Sequence, residues 1–87
     1  MQVATRKGGE QFAASDFNRA LGYYQDALSA CPASAQAQLN VARTFEAMGD
    51  RSQAIAHYKL ASAATGPNDG DAAREARDAI ARLNGST

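Results

Sequence analysis

Residues 16–32, DFNRALGYYQDALSACP, decide the fold, because they return in outline 34 positions later as residues 50–66, DRSQAIAHYKLASAATG. Laying 1–34 over 35–68 pairs seven identical residues: Gln2/Gln36, Ala13/Ala47, Asp16/Asp50, Ala20/Ala54, Tyr24/Tyr58, Ala27/Ala61 and Ala30/Ala64. Similar residues fill the gaps, among them Gly8/Ala42, Ser15/Gly49, Leu21/Ile55, Gly22/Ala56 and Gln25/Lys59. Alanine is abundant, so the number of identities says less than their placement. Small residues recur where two helices would touch, and a 34-residue period suits two helices and two turns.

Each unit reads as a helical hairpin. The first opens with a small, polar stretch over 2–14 whose apolar spacing ends at Phe12, and Ser15-Asp16 breaks the run. Phe17, Ala20, Leu21, Tyr24, Ala27 and Leu28 then fall at three- and four-residue steps, which predicts one buried helix face over 17–30. Cys31-Pro32 ends that helix, since the residue before proline is pushed out of the helical region. In the second unit Leu39, Ala42, Phe45 and Met48 mark the first helix, and Ile55, Tyr58 and Ala61, with Ala64, line the second. Between them Gly49 suits the left-handed closing conformation and Asp50 a helix cap.

The turn-rich segment 65–70 predicts a loop, and beyond it Asp71 is placed to cap a fifth helix that stops at Gly85. Ala72, Ala73, Ala76, Ile80 and Leu83 make its narrow apolar stripe, with Arg74, Glu75, Arg77, Asp78 and Arg82 toward water, as a terminal cap requires. The expected architecture is all-α: an α-solenoid of two antiparallel helical hairpins, 1–34 and 35–68, closed by a capping helix and tail over 69–87. That makes five helices in one structural domain.

Composition supports helices and excludes much else. Of 87 residues 21 are Ala, and only two Val and two Ile are present, too few β-branched side chains for a sandwich or barrel. Alanine is the strongest helix former and lets helix axes approach closely. Nine basic and nine acidic residues cancel and are interspersed, so no basic stripe marks nucleic-acid binding. No apolar run approaches the roughly 20 residues of a membrane span, and no signal-peptide core is visible. A single Cys permits no internal disulfide and slightly favours a reducing, cytoplasmic setting.

At this level of detail the chain resembles the tetratricopeptide repeat. The first unit carries Gly8, Phe12, Asp16, Phe17, Ala20, Leu21, Tyr23, Tyr24, Ala27, Leu28 and Pro32 at that family's spacing. The second carries Ala42, Phe45, Gly49, Asp50, Ala54, Tyr58 and Ala61, and the last helix is similar to the family's C-terminal cap. Two features depart from the pattern: Ala4 and Gln38 stand where a bulky aromatic often opens each unit, and Pro67 lies one residue late relative to Pro32. The resemblance implies a right-handed stack of hairpins with a concave groove lined by the first helix of each unit, and a role in holding a peptide or scaffolding an assembly. Members that bind chaperone tails clamp a carboxylate at five positions. Here those positions read Thr5, Gly9, Asn40, Gly70 and Arg74, and only Asn40 and Arg74 agree.

Helical spacing nominates Gln2, Thr5, Gly9, Phe12 and Ala13 from the first helix as groove residues, with Gln36, Leu39, Asn40, Arg43 and Glu46 from the third, and Arg74 and Arg77 from the cap. Asn40, Arg43, Arg74 and Arg77 together offer amide and guanidinium donors suited to a carboxylate or an acidic peptide. Nothing points to catalysis. His57 is alone, Cys31 lacks a neighbouring His, Lys7-Gly8-Gly9 is too short for a phosphate loop, and Asp69 and Asp71 lack the remaining ligands of a calcium loop. The expected function is therefore a protein-interaction module that is not an enzyme and uses no cofactor or metal. It would bind another protein or peptide and no nucleic acid, without a membrane span. The alternative is a structural fragment that self-associates or stacks within a longer array, because Val3 and Phe12 have no preceding unit to cover them and so small a stack is marginal.

Overall fold

The computed structural model describes residues 9, 10, 12, 14, 16–66 and 69–85. Every regular element among them is an α-helix: α1, Phe17–Ala30; α2, Ala35–Ala47; α3, Arg51–Ser62; and α4, Gly70–Gly85. Three of the starts follow directly from the sequence. Asp16 and Asp50 accept the N–H groups of Arg19 and Gln53 at 3.3 and 3.2 Å, and Ser34 accepts that of Ala37 at 3.2 Å. Each cap satisfies one of the amides that a helix leaves unpaired at its first turn.

The helix ends have equally local causes. At the close of α1 the Cys31 N–H still reaches the Ala27 carbonyl at 3.1 Å, and Pro32 follows. Gly49 turns the chain out of α2 with a φ of 85°, a left-handed conformation that side chains resist. Its N–H donates to the Glu46 carbonyl and that of Asp50 to the Phe45 carbonyl, so the last turn of α2 is capped by the residues that start α3.

Helix α4 begins differently from expectation. Asp71 lies inside its first turn and pairs with Arg74 at 2.8 Å, while the Ala73 N–H donates to the backbone carbonyl of Asp69. The Asp69 carboxylate turns back to accept the Gly66 N–H at 3.0 Å and so holds the loop. Thus the helix starts at Gly70, two residues earlier than a cap at Asp71 would place it.

The expected five-helix α-solenoid is corrected by this structure, which has four helices among the described residues. The helix expected over 2–14 falls mostly outside those residues. Gly9, Glu10 and Phe12 have helical backbone, and the Ala14 N–H donates to the Glu10 carbonyl. Among the described helices α2 touches α1, α3 and α4, and α4 also packs on α3.

The interior follows from that arrangement. Ala20 and Tyr24 of α1 pack with Val41 of α2, while Leu39 and Ala42 of α2 pack with Ala54, Tyr58 and Ala61 of α3 and Ala72, Ala76 and Leu83 of α4. The residues paired by the 34-residue period do the same work on α1 and α3: Ala20 and Ala54 are completely buried, as are Tyr24 and Tyr58 nearly so. Among the described residues eleven of the sixteen buried apolar side chains are alanine, so the helices are held at contact distance by methyl groups and little space remains for anything larger. Ala54→Leu should therefore cost about 1–3 kcal/mol through overpacking, whereas Ala56→Leu on the exposed side of the same helix should change stability by less than about 0.5 kcal/mol. Urea denaturation of both variants checks this, and equal effects would show that Ala54 is not at a close crossing.

Candidate functional site

The feature most able to meet another molecule is the face where α2 and α4 lie side by side. On α2, Gln36, Asn40 and Arg43 follow one another at helical spacing, with Leu39 and Glu46 beside them; on α4, Glu75, Asp78 and Arg82 do the same. Between the two helices lies an open hollow of about 380 Å³ bounded by Leu39, Arg43, Tyr58, Glu75, Asp78, Ala79 and Arg82. A second hollow of about 270 Å³ continues past Arg43, Tyr58 and Arg82 to Phe12, Glu46 and Ala47. A small recess under Phe12, Tyr24, Asn40 and Arg43 completes the strip. Arg43 borders all three.

The floor of this face is set by one carboxylate. Glu46 of α2 accepts the Tyr58 hydroxyl of α3 at 2.7 Å and both terminal nitrogens of Arg82 of α4 at 2.6 and 3.0 Å. Two-pronged pairing of this kind fixes direction as well as distance. Its electrostatic consequences are consistent. The Arg82 hydrogen bond holds the Glu46 carboxyl below its ordinary 4.5. Burial, reinforced by the bond to Glu46, pushes the Tyr58 phenol well above its ordinary 10.0. Burial also raises the Tyr24 phenol, with the Arg43 charge opposing it.

The expected groove residues separate into three groups. Phe12, Leu39, Asn40 and Arg43 are brought together on this face, although Leu39 is almost wholly core and Phe12 is also braced edge-on against Phe17 at 5.1 Å. Gln36 lies at its exposed end and donates to the Asn40 amide oxygen at 3.0 Å, and Gly9 is half-buried, with the Tyr24 hydroxyl 3.6 Å from where a Cβ on it would lie. Gln2, Thr5 and Ala13 lie outside the described residues. Arg74 and Arg77 are not in the strip: the first pairs with Asp71, and the second points toward the Ser62 carbonyl at the end of α3. The donor cluster of Asn40, Arg43, Arg74 and Arg77 is therefore not assembled, because Arg74 and Arg77 emerge on the side of α4 turned away from α2.

Glu75, Asp78 and Arg82 are exposed, as the sequence predicts, and Arg82 in addition pairs with Glu46; Tyr58 is buried and its hydroxyl donates to Glu46. The signal that would have placed the first three beside α2 is their spacing along the edge of the buried Ala72, Ala76, Ala79 and Leu83 stripe. His57 is a packing residue: its ring lies parallel to Phe45 at 5.6 Å and its Nδ1 is 2.7 Å from the Gln38 amide oxygen, with burial lowering its pKa. Cys31 is a half-buried free thiol. Among the described residues no group of three or more His, Cys, Asp or Glu side chains is placed to hold a metal, and no helix is long and apolar enough to cross a membrane. The chain matches no protein-family model, no curated protein and no solved structure.

The clamp around Glu46 gives a defined pH profile. A carboxyl with a lowered folded-state pKa contributes stability above pH 4.5 and loses it as the pH falls through the lowered value. The buried His57 acts in the same direction at higher pH, because the unfolded chain takes up the proton more readily once the pH drops below 6.5. A phenol with a raised pKa works at the other end: the folded chain keeps its proton, so stability declines as the pH rises past 10.0. Denaturation midpoints should thus form a plateau between 6.5 and 10.0 with a fall on either side. Tyr58→Phe should lower the plateau by about 1–2 kcal/mol and shrink the alkaline fall, and an unchanged profile would show that the Glu46 contact carries no weight.

Proposed function

We propose that this chain is a protein-interaction module of the tetratricopeptide kind, without enzymatic activity, and that it binds a segment of a partner protein across the α2/α4 face. The observation that carries the proposal is the state of Arg43. It borders all three hollows, is exposed, and makes no hydrogen bond or ion pair among the described residues, while its neighbours Glu46, Tyr58 and Arg82 are committed to one another. An arginine held on a helix beside the half-buried Phe12 is the kind of side chain that anchors protein interfaces. The internal 34-residue period and its matched caps support the same reading, although a fold by itself does not choose a ligand.

With the partner captured from native extract, Arg43→Ala should weaken binding by about tenfold, the loss typical of one anchoring interface residue. Arg77→Ala, directed toward Ser62, should leave affinity nearly unchanged. Loss at Arg77 with none at Arg43 would move the contact surface elsewhere.

Self-association is a second reading with one observation in its favour. Leu60 is 55% exposed, and a hollow of about 410 Å³ beside it is edged by Pro32, Ala33, Ala63 and Ala64. On this reading sedimentation over a range of concentrations shows a growing dimer that Leu60→Gln abolishes. A constant monomer mass would set it aside.

A further inference from the structure

Resting on the assignment of the α2/α4 face to a partner segment, we infer that the segment it takes is of mixed charge, with a Lys or Arg side chain seated against Glu75 and Asp78 and an acidic one on Arg43. The two walls of the larger hollow carry opposite signs. Glu75 and Asp78 stand one turn apart on α4, both exposed, with no hydrogen bond or ion pair among the described residues. Arg43 faces them from α2, lines the same hollow, and forms no ion pair with either. The one cation on their own helix that borders the hollow, Arg82, is already held by both oxygens of Glu46 and cannot neutralise them.

A segment of a single sign fits this surface poorly. An acidic peptide gains Arg43 but meets two uncompensated carboxylates, and a basic one gains the carboxylates but meets Arg43. Only a segment carrying both signs satisfies both walls, and like-charge contact is a strong source of discrimination at interfaces. The carboxylates outnumber the free guanidinium, so the basic side chain makes the larger contribution. Because all three groups are exposed, binding weakens as salt is added.

The probe is a set of blocked synthetic peptides on a neutral background of alanine, serine and leucine, carrying Lys, Glu, both or neither at varied separations. Binding to the whole chain is read by fluorescence polarisation. Peptides with both charges should bind about tenfold more tightly than those with Glu alone. Glu75→Gln with Asp78→Asn should abolish the dependence on Lys, and Arg43→Gln the dependence on Glu; circular dichroism confirms that these surface variants keep their helices. Tightest binding by the Glu-only peptides, insensitive to Glu75→Gln with Asp78→Asn, would overturn the inference while leaving a partner on this face. Self-association abolished by that same double substitution would give the face to a second copy and also overturn it. If neither the peptides nor the captured partner responded to Arg43→Gln, the assignment of the face itself would fall.

Discussion

Contact between alanine methyl groups is the constraint on which this molecule depends. With so few large apolar side chains, the chain can bury its backbone only by bringing helix axes close together, and Ala20, Ala42, Ala54, Ala61 and Ala76 are completely or almost completely covered as a result. Alanine loses no side-chain entropy on folding, which partly offsets the small area that each residue removes from water. The same economy leaves the interior with little tolerance for added volume. It also means that specificity of packing has to come from elsewhere.

Much of it comes from polar groups at the edges of the helices. Glu46 ties α2 to α3 through Tyr58 and to α4 through Arg82, which sets the angle at which the outer wall of the hollow stands. The clamp is only partly buried, with the Glu46 side chain 26% and that of Arg82 57% exposed, so the desolvation cost that burdens interior ion pairs is reduced. By engaging Arg82 it also shapes the exposed α2/α4 face: Arg82 is paired with Glu46, while Arg43, Glu75 and Asp78 form no hydrogen bond or ion pair among the described residues. The Thr44 hydroxyl, fully buried, avoids a similar cost by donating to the Asn40 carbonyl at 2.8 Å.

How far each of these features was visible in the sequence depends on the range of the interaction. Caps and stops are local, so Asp16, Asp50, Gly49 and Pro32 marked the limits of α1 and α3 and the end of α2 without knowledge of the fold. Asp71 misled for a local reason too: two acidic residues flank Gly70, and only the backbone shows that Asp69 occupies the capping position while its side chain serves the loop. The helix expected over 2–14 lies mostly outside the described residues. On the functional face, Asn40 and Arg43 were legible because they share one side of a single helix. Glu75, Asp78 and Arg82 were not, since a charged residue beside an alanine stripe reads as solvated whether it faces open water or a neighbouring helix.

The sequence by itself determined an all-helical chain, the bounds of the middle helices and the small residues at their crossings, because propensity, capping and periodicity act within one or two turns. Tertiary structure alone decided that α2 would be the hub, that Glu46 would join three helices, and that Arg74 and Arg77 would emerge away from the face on which Arg43 stands. Those outcomes depend on the rotation of α4 about its own axis against α2 and α3. That rotation is selected by the whole alanine stripe packing at once, and no local stretch of residues contains it.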